Sequence, residues 1–307
     1  MRFLGFLAFI LLASCVSNAS DPDPCGFDSD TVHVVDGYHI KLLKFDESKI
    51  KSLEKIRPKA SAAEKDYSKG IHKFMAPAVD LGMANVPVLD QGQHGTCVTF
   101  ASTAALDAVL AQGDFISQQC SLELDLALFE DYWNGANYPS QIIDPLFNYG
   151  VVKKEKCDRQ YPVPGVTLST DEYEALVDKD ASAIVAAVQY VYLPAPSLDA
   201  VKAALDKGHR VLTGFLLQTS AQAVRGFNVQ IDGIPYQGGL WACKQGASPN
   251  YCANSQAGHE VLIIGYDDKQ ELLKIRNSWN SSVGDKGNYY MSYKFFKSMA
   301  LDQTEVW

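Results

Sequence analysis

The sequence predicts an α+β chain of two lobes, one helical and one a mostly antiparallel, barrel-like sheet, behind a small N-terminal hairpin-and-helix unit. Three observations carry this expectation. Apolar residues at helical spacing fill 97–110, 121–133 and 142–149, the pattern of helices with a buried face. Strand-like runs dominate later, at 211–217, 259–266, 272–276 and 289–293, where apolar and β-branched residues cluster between turn signals. A chain of 307 residues with 47% apolar composition can also bury a large core, enough for two lobes and extras.

Taken in order, residues 1–19 carry one positive charge, Arg2, then an apolar run over 3–12 and small residues, which reads as a secretory signal. Two exits are open: after Ser17-Asn18-Ala19, or before Cys15 as in a bacterial lipoprotein. From 21 to about 74 comes a small unit. Its runs 31–35 and 38–43 flank Asp36-Gly37, a short hairpin signal. Ile50, Leu53 and Ile56 then fall at helical spacing before Pro58, and Ser61 with Glu64 forms a capping-box pattern. A unit of this size has little core of its own and is expected to lean on the larger domain C-terminal to it.

The helical lobe is predicted to open at Cys97, with Gly113 as the stop of its first helix. After Pro164 a helix is expected over 171–179 and a strand over 184–192. A further helix from a Ser197 cap ends at Gly208, ahead of the strand at 211–217. These elements set the boundaries at 20–74 for the N-terminal unit, about 97–163 for the first lobe and about 164–295 for the second, within a main domain of 75–307. A formal charge of −9 argues against nucleic-acid binding or a basic membrane patch.

The chemistry centres on Asp90-Gln91-Gly92-Gln93-His94-Gly95-Thr96-Cys97. A glycine-rich turn delivers one cysteine to a helix start, where unpaired N–H groups stabilise a thiolate and offer donors to an oxyanion. Gln91 adds a side-chain N–H to the same place. A thiolate nucleophile needs an imidazole and a group to orient it. Among six histidines, His259 opens a strand whose successor ends in Asn277-Ser278-Trp279. Adjacent antiparallel strands would set the Asn277 carbonyl on one ring nitrogen and leave the other for the thiol, with Trp279 as a shield.

These residues resemble the papain-like cysteine peptidases: Gln91 and Cys97 at that spacing, His259 before an aliphatic strand, Asn277-Ser278-Trp279, then Gly284 and Gly287. Shorter echoes lie at 77–80, 116–119, 148–151 and 161–162, so the resemblance spans about 75–295. It implies a papain-like two-lobed fold, with Cys97 as nucleophile, His259 as base and acid, Asn277 as orienter and Gln91 in the oxyanion hole. It also implies a 20–74 propeptide covering the cleft, and a loop at 134–139 whose Ala136 and Asn137 pair with a bound peptide. Glu260 then falls where the family lines the pocket for the second side chain before the scissile bond, and a carboxylate there would favour lysine or arginine. The chain departs from the family around the nucleophile, where His94-Gly95-Thr96-Cys97-Val98 stands for C-G-[SA]-C-[WY].

The resulting expectation is an exported cysteine endopeptidase made as a zymogen, a secreted monomer with no cofactor or metal, acting on proteins or peptides and held by its own propeptide. A silent papain-fold binding protein and a cell-wall amidase or acyltransferase are the alternatives. Of seven cysteines, Cys243 and Cys252 flank a polar loop and are paired here as a disulfide, with Cys120–Cys157 as a second candidate and Cys25 left over.

Overall fold

The computed structural model describes residues 32–35, 37–44, 76–129, 136–157, 168–193, 195–243, 252 and 257–307, all within the compact unit Thr31–Trp307. The expected signal, the helical pieces at 50–56 and after Ser61, and Cys25 lie outside the described residues.

Strands β1 (Val32–Val35) and β2 (Tyr38–Lys41) form the expected antiparallel hairpin, with Val35 opposite Tyr38. Gly37 turns it at φ +89°, a conformation glycine adopts freely. The chain then runs straight into β3 (Leu43–Lys44), which pairs antiparallel with β9 (Ala257–Asp267) at Leu43–Gly258 and Lys44–Ala257. Val35, Ile40 and Leu42 are buried in the cluster that holds Trp241 and Trp279. The described part of the N-terminal unit, 32–44, leans on the main domain through backbone pairing and apolar burial together.

Helix α1 (Cys97–Leu110) is the spine of the helical lobe, and every residue from Cys97 to Ala108 is buried. Its Ala, Ser and Thr residues let neighbours approach on all sides. It ends where Ala111 takes a left-handed φ of 54°, two residues ahead of the expected Gly113 stop. Helix α2 (Gln118–Phe129) starts earlier than 121, because Ser117 Oγ accepts from Cys120 N–H at 3.1 Å. Helix α3 (Ser140–Tyr149) completes the packing on α1.

The single helix expected at 171–179 is two, α4 (Thr170–Leu176) and α5 (Lys179–Val185). Ser169 and Glu172 form a reciprocal capping box on the first. Asp178 restarts the second by accepting from Ala181 N–H at 2.8 Å. The apolar run expected as a strand from 184 therefore begins as a helix face, with Ala181 and Val185 buried one turn apart. Strand β5 is shorter, Tyr190–Leu193. Helix α6 (Leu198–Asp206) follows its predicted Ser197 cap, whose Oγ accepts from Ala200 N–H.

The main sheet continues with β6 (Arg210–Leu217), helix α7 (Ala221–Arg225), β7 (Phe227–Ile231), β8 (Ile234–Trp241), β9, β10 (Leu272–Arg276), β11 (Asn288–Ser292), helix α8 (Tyr293–Met299) and β12 (Gln303–Val306). Strand β4 (Ala78–Asp80) joins β9 as well. The order is β5-β12-β6-β9-β10-β11-β8-β7, antiparallel throughout except for β8 beside β11. Strand β9 is buried at every residue but the last and feeds both main cores, Val261 and Ile263 to one and Leu262 and Ile264 to the other. Disulfides join Cys120 to Cys157 and Cys243 to Cys252, with Cα separations of 5.9 and 5.4 Å.

Candidate active site

Cys97 is the first residue of α1, and its Thr96 cap makes no side-chain capping bond. The first-turn donors are thus left to the thiol. Backbone N–H groups of Glu260, Val98 and Cys97 itself lie against the sulfur and lower its pKa, but complete burial outweighs them and pushes it up to about 12. Among the described residues Cys97 is the free cysteine.

His259 lies on β9, and β10 brings Asn277 alongside because Arg276 pairs with Leu262. Nε2 of His259 is 2.8 Å from Asn277 Oδ1, which also accepts from Ser278 N–H at 2.8 Å. An amide oxygen accepting at Nε2 places the ring proton there and leaves Nδ1 as the lone-pair nitrogen. Nδ1 is buried and has no hydrogen-bond partner. Trp279 stacks on the imidazole at 4.3 Å and 22°, and Phe215 and Trp241 meet it edge-on. This cage excludes water and holds the imidazole down to about 4, burial outweighing the Asn277 bond.

Gln91 is fully buried. Its Nε2 donates to His94 O at 2.8 Å and to Lys41 O at 3.4 Å, and its Oε1 accepts from Ser278 Oγ at 2.7 Å. The last bond fixes which face of the amide points into the site. Ser278 is therefore a member of the site that the sequence reading passed over, although it stands inside the Asn-Ser-Trp motif. His94 contributes its carbonyl and sits 6% exposed in the same turn.

The substrate-loop residues separate. Ala136 is buried in the cluster that contains Cys97 and Leu43. The Asn137 N–H donates to Gln141 Oε1 at 2.6 Å, so that group is committed within the loop. Glu260 turns inward and is 2% exposed, and it is raised well above the usual carboxylate range by burial and by Asp302. Asp302, in a C-terminal stretch with no periodic signal, is a second member that sequence reasoning missed.

Residues 38–44 run through the site as a strap. Lys41 offers its carbonyl to Gln91, Leu42 enters the Trp241 and Trp279 core, and Leu43 shares a cluster with Cys97. Beside it a cavity of about 290 Å³ remains between Tyr38 and His39 of the hairpin and the Asp90 to His94 turn, with Trp279 in its wall. Among the described residues, Cys120, Glu123 and Cys157 form a grouping close enough for a metal, but the two sulfurs are spent in the disulfide.

The papain family cysteine protease profile matches residues 219–305. The chain is 29% identical over 212 residues to cysteine proteinase 2 of Entamoeba histolytica, covering 66% of this chain and 58% of that one. It is 26% identical over 255 residues to pro-cathepsin H of Mus musculus, covering 80% and 69%. Among solved structures, xylellain, a cysteine protease from Xylella fastidiosa, superposes with a TM-score of 0.56 at 21% identity over 78% of this chain and 88% of that one. Digestive procathepsin L 3 of the Tenebrio molitor larval midgut gives 0.50 at 15% identity over 84% and 94%. The fold is papain-like.

Proposed function

We infer that this divergent member of the papain-like cysteine peptidases is an endopeptidase whose N-terminal segment keeps it dormant. The observation that carries the reading is a His259 oriented by Asn277 at 2.8 Å with its Nδ1 unbonded, on the strand whose next residue, Glu260, sets its N–H against the sulfur of Cys97 at a helix start. That the Gln91 amide donates to a peptide carbonyl of the chain itself, Lys41 O, supports its role as an oxyanion donor.

In the uncovered enzyme water and peptide replace the strap, and the thiol passes its proton to His259 Nδ1. The thiolate attacks the peptide carbonyl, and the oxyanion is held by Gln91 Nε2 and the Cys97 N–H. His259 returns the proton to the leaving amine. Water, deprotonated by the same imidazole, then cleaves the thioester and releases the acid. Ala136 is the loop residue beside the substrate backbone, and Trp279 keeps the dyad dry.

Export through residues 1–19, a 20–74 propeptide and a monomeric secreted form complete the proposal. The strap supports the propeptide assignment, since its Lys41 carbonyl accepts from Gln91 Nε2 and its Leu43 shares a buried cluster with Cys97. The test is to treat intact and N-terminally trimmed protein with an epoxide-type cysteine-peptidase inactivator. Modification of Cys97 alone, with turnover of a peptide substrate after trimming, is expected. A trimmed protein that neither reacts nor turns over would leave the papain fold serving another purpose.

A further inference from the structure

Far from the dyad, the main domain grips its own chain at every residue from Ala76 onward. Pro77 O accepts from Asp268 N–H at 2.9 Å, and Ala78, Val79 and Asp80 pair with Asp267, Tyr266 and Gly265 of β9. Ala76 is held by side chains instead. Its carbonyl accepts from the Tyr266 hydroxyl at 2.7 Å, and its N–H faces Asp206 Oδ1 at 3.4 Å. The Tyr266 oxygen also lies 2.9 Å from that same carboxylate oxygen, so two acceptors compete for one hydroxyl proton. A neutral amide at 3.4 Å does little to relieve the shortage of donors.

The charge around this cradle is also out of balance. Asp206 is the last residue of α6, where the helix already carries negative partial charge and a cation is favoured. Its carboxylate makes no ion pair among the described residues. The neighbouring cations are committed elsewhere: Lys202, one turn back on α6, goes to Asp268 at 2.6 Å, and Lys207 reaches Glu305 at 3.8 Å. Tyr293 donates to Asp268 as well, at 2.7 Å. Asp206 and Asp268 therefore stand against the single ammonium of Lys202, and the first of them is left facing the backbone nitrogen of Ala76.

We propose that Asp206 and Tyr266 form a seat for the α-ammonium of a chain that begins at Ala76, produced when the Met75–Ala76 bond is cut. The proposal rests on the reading of the N-terminal segment as a propeptide, and sets its end one residue past the boundary expected from the sequence. Hydrolysis adds one water across the bond. Met75 departs with a carboxylate, and Ala76 keeps an ammonium with three N–H donors where the amide had one. One of them serves Asp206 Oδ1 as a charge-assisted bond, which leaves the Tyr266 proton to the Ala76 carbonyl. A chain start frays unless it is tied down. Tied here, it keeps β4 on the strand that carries His259.

The experiment uses the full chain with residues 71–75 replaced by the recognition sequence of an added protease that cuts directly before Ala76. After the cut, the α-amine is titrated by its rate of acetylation with trace acetic anhydride. The rate is read by mass spectrometry on the N-terminal peptide and set against the same peptide free in solution. At pH 7 the amine should be protected at least about three-fold, because a carboxylate partner raises its pKa. Asp206→Asn should abolish the protection and Asp206→Glu should restore part of it. Asp206 is exposed, so neither substitution disturbs the core. One glycine added ahead of Ala76 carries the amine about 3.8 Å further along the chain and should abolish protection too. No protection in the chain that begins at Ala76, or protection that persists in Asp206→Asn or in the glycine-led chain, overturns the proposal. The active form of the unaltered protein should likewise begin at Ala76, and another first residue overturns the assignment. The introduced cut owes nothing to the protein's own activity. A cut chain that neither takes the epoxide inactivator nor turns over a peptide therefore overturns the peptidase reading alone.

Discussion

At the scale of single residues, the site is a set of hydrogen bonds with unequal duties. On the proposed mechanism Cys97→Ala removes the attacking atom, and turnover is expected to fall by roughly 10⁴-fold or more with the fold retained. Gln91→Ala removes one oxyanion donor and is expected to cost about 10²- to 10³-fold in kcat. Ser278→Ala leaves every reacting group in place but loosens the Gln91 amide, because the Ser278 Oγ bond at 2.7 Å holds its orientation together with the 2.8 Å bond to His94 O. One lost orienting bond of about 1 kcal/mol predicts a kcat roughly five- to ten-fold lower. Steady-state kinetics on labelled, counted enzyme separates the three, and a Ser278→Ala enzyme as slow as Gln91→Ala would mean that the hydroxyl does more than orient.

At the scale of elements, the strap is the part whose removal, on the proposed function, would switch the protein on. Leu42 is 1% exposed in the core that holds Trp241 and Trp279. Truncating such a residue costs about 2 to 5 kcal/mol, and here the cost falls on docking of the strap because the lobes keep their own contacts. Leu42→Ala in the intact chain is therefore expected to release measurable peptide turnover before any trimming. Intact Leu42→Ala as silent as intact wild type would mean that the strap is not what gates the site. The elements also differ in how far local sequence encodes them. An Asp-Gly pair marked the first hairpin, and the same pair at Asp232-Gly233, with φ of 49° and 83°, turns β7 into β8. Its flanks mix polar and glycine residues, so the strands on either side carry little periodic signal. Helix α8 and strand β12 are only seven and four residues long, too short for a period to show, and Asp302 lies between them. Cys97, His259 and Asn277 were legible because their chemistry is tied to residue type and to the elements beside them, whereas Asp302 meets Glu260 through the registers of β12 on β6 and of β6 on β9, which no local pattern encodes.

At the scale of the whole molecule, buried ionisable groups set how stability varies with pH. Asp107, Asp302 and Glu260 all hold protons more tightly in the folded chain than in water, Asp107 up to about 8 and Asp302 up to about 6, chiefly through burial. A raised carboxyl means the folded state binds more protons than the unfolded one, so stability falls as pH rises through this range. His259 works the other way. Its imidazole, held to about 4 against an ordinary 6.5, costs stability as pH drops below 6.5. Three groups outweigh one, and the intact protein is expected to melt at a higher temperature at pH 5 than at pH 8. Asp107→Asn, which keeps an oxygen for the Phe115 and Ile116 N–H groups, should flatten the upper part of that slope. A Tm that rises steadily from pH 5 to pH 8 would contradict the sign.

The pairing of β3 with β9 has a mechanical side. It joins two residues of each strand, whereas β6 holds β9 through seven. Tension applied at the N-terminus passes the β1–β2 hairpin and the burial of Val35, Ile40 and Leu42 before it meets the short ladder, which yields ahead of the long one. The short strand is a fuse: of the two ladders on β9 it is the one that gives way first, with the seven-residue ladder behind it whole.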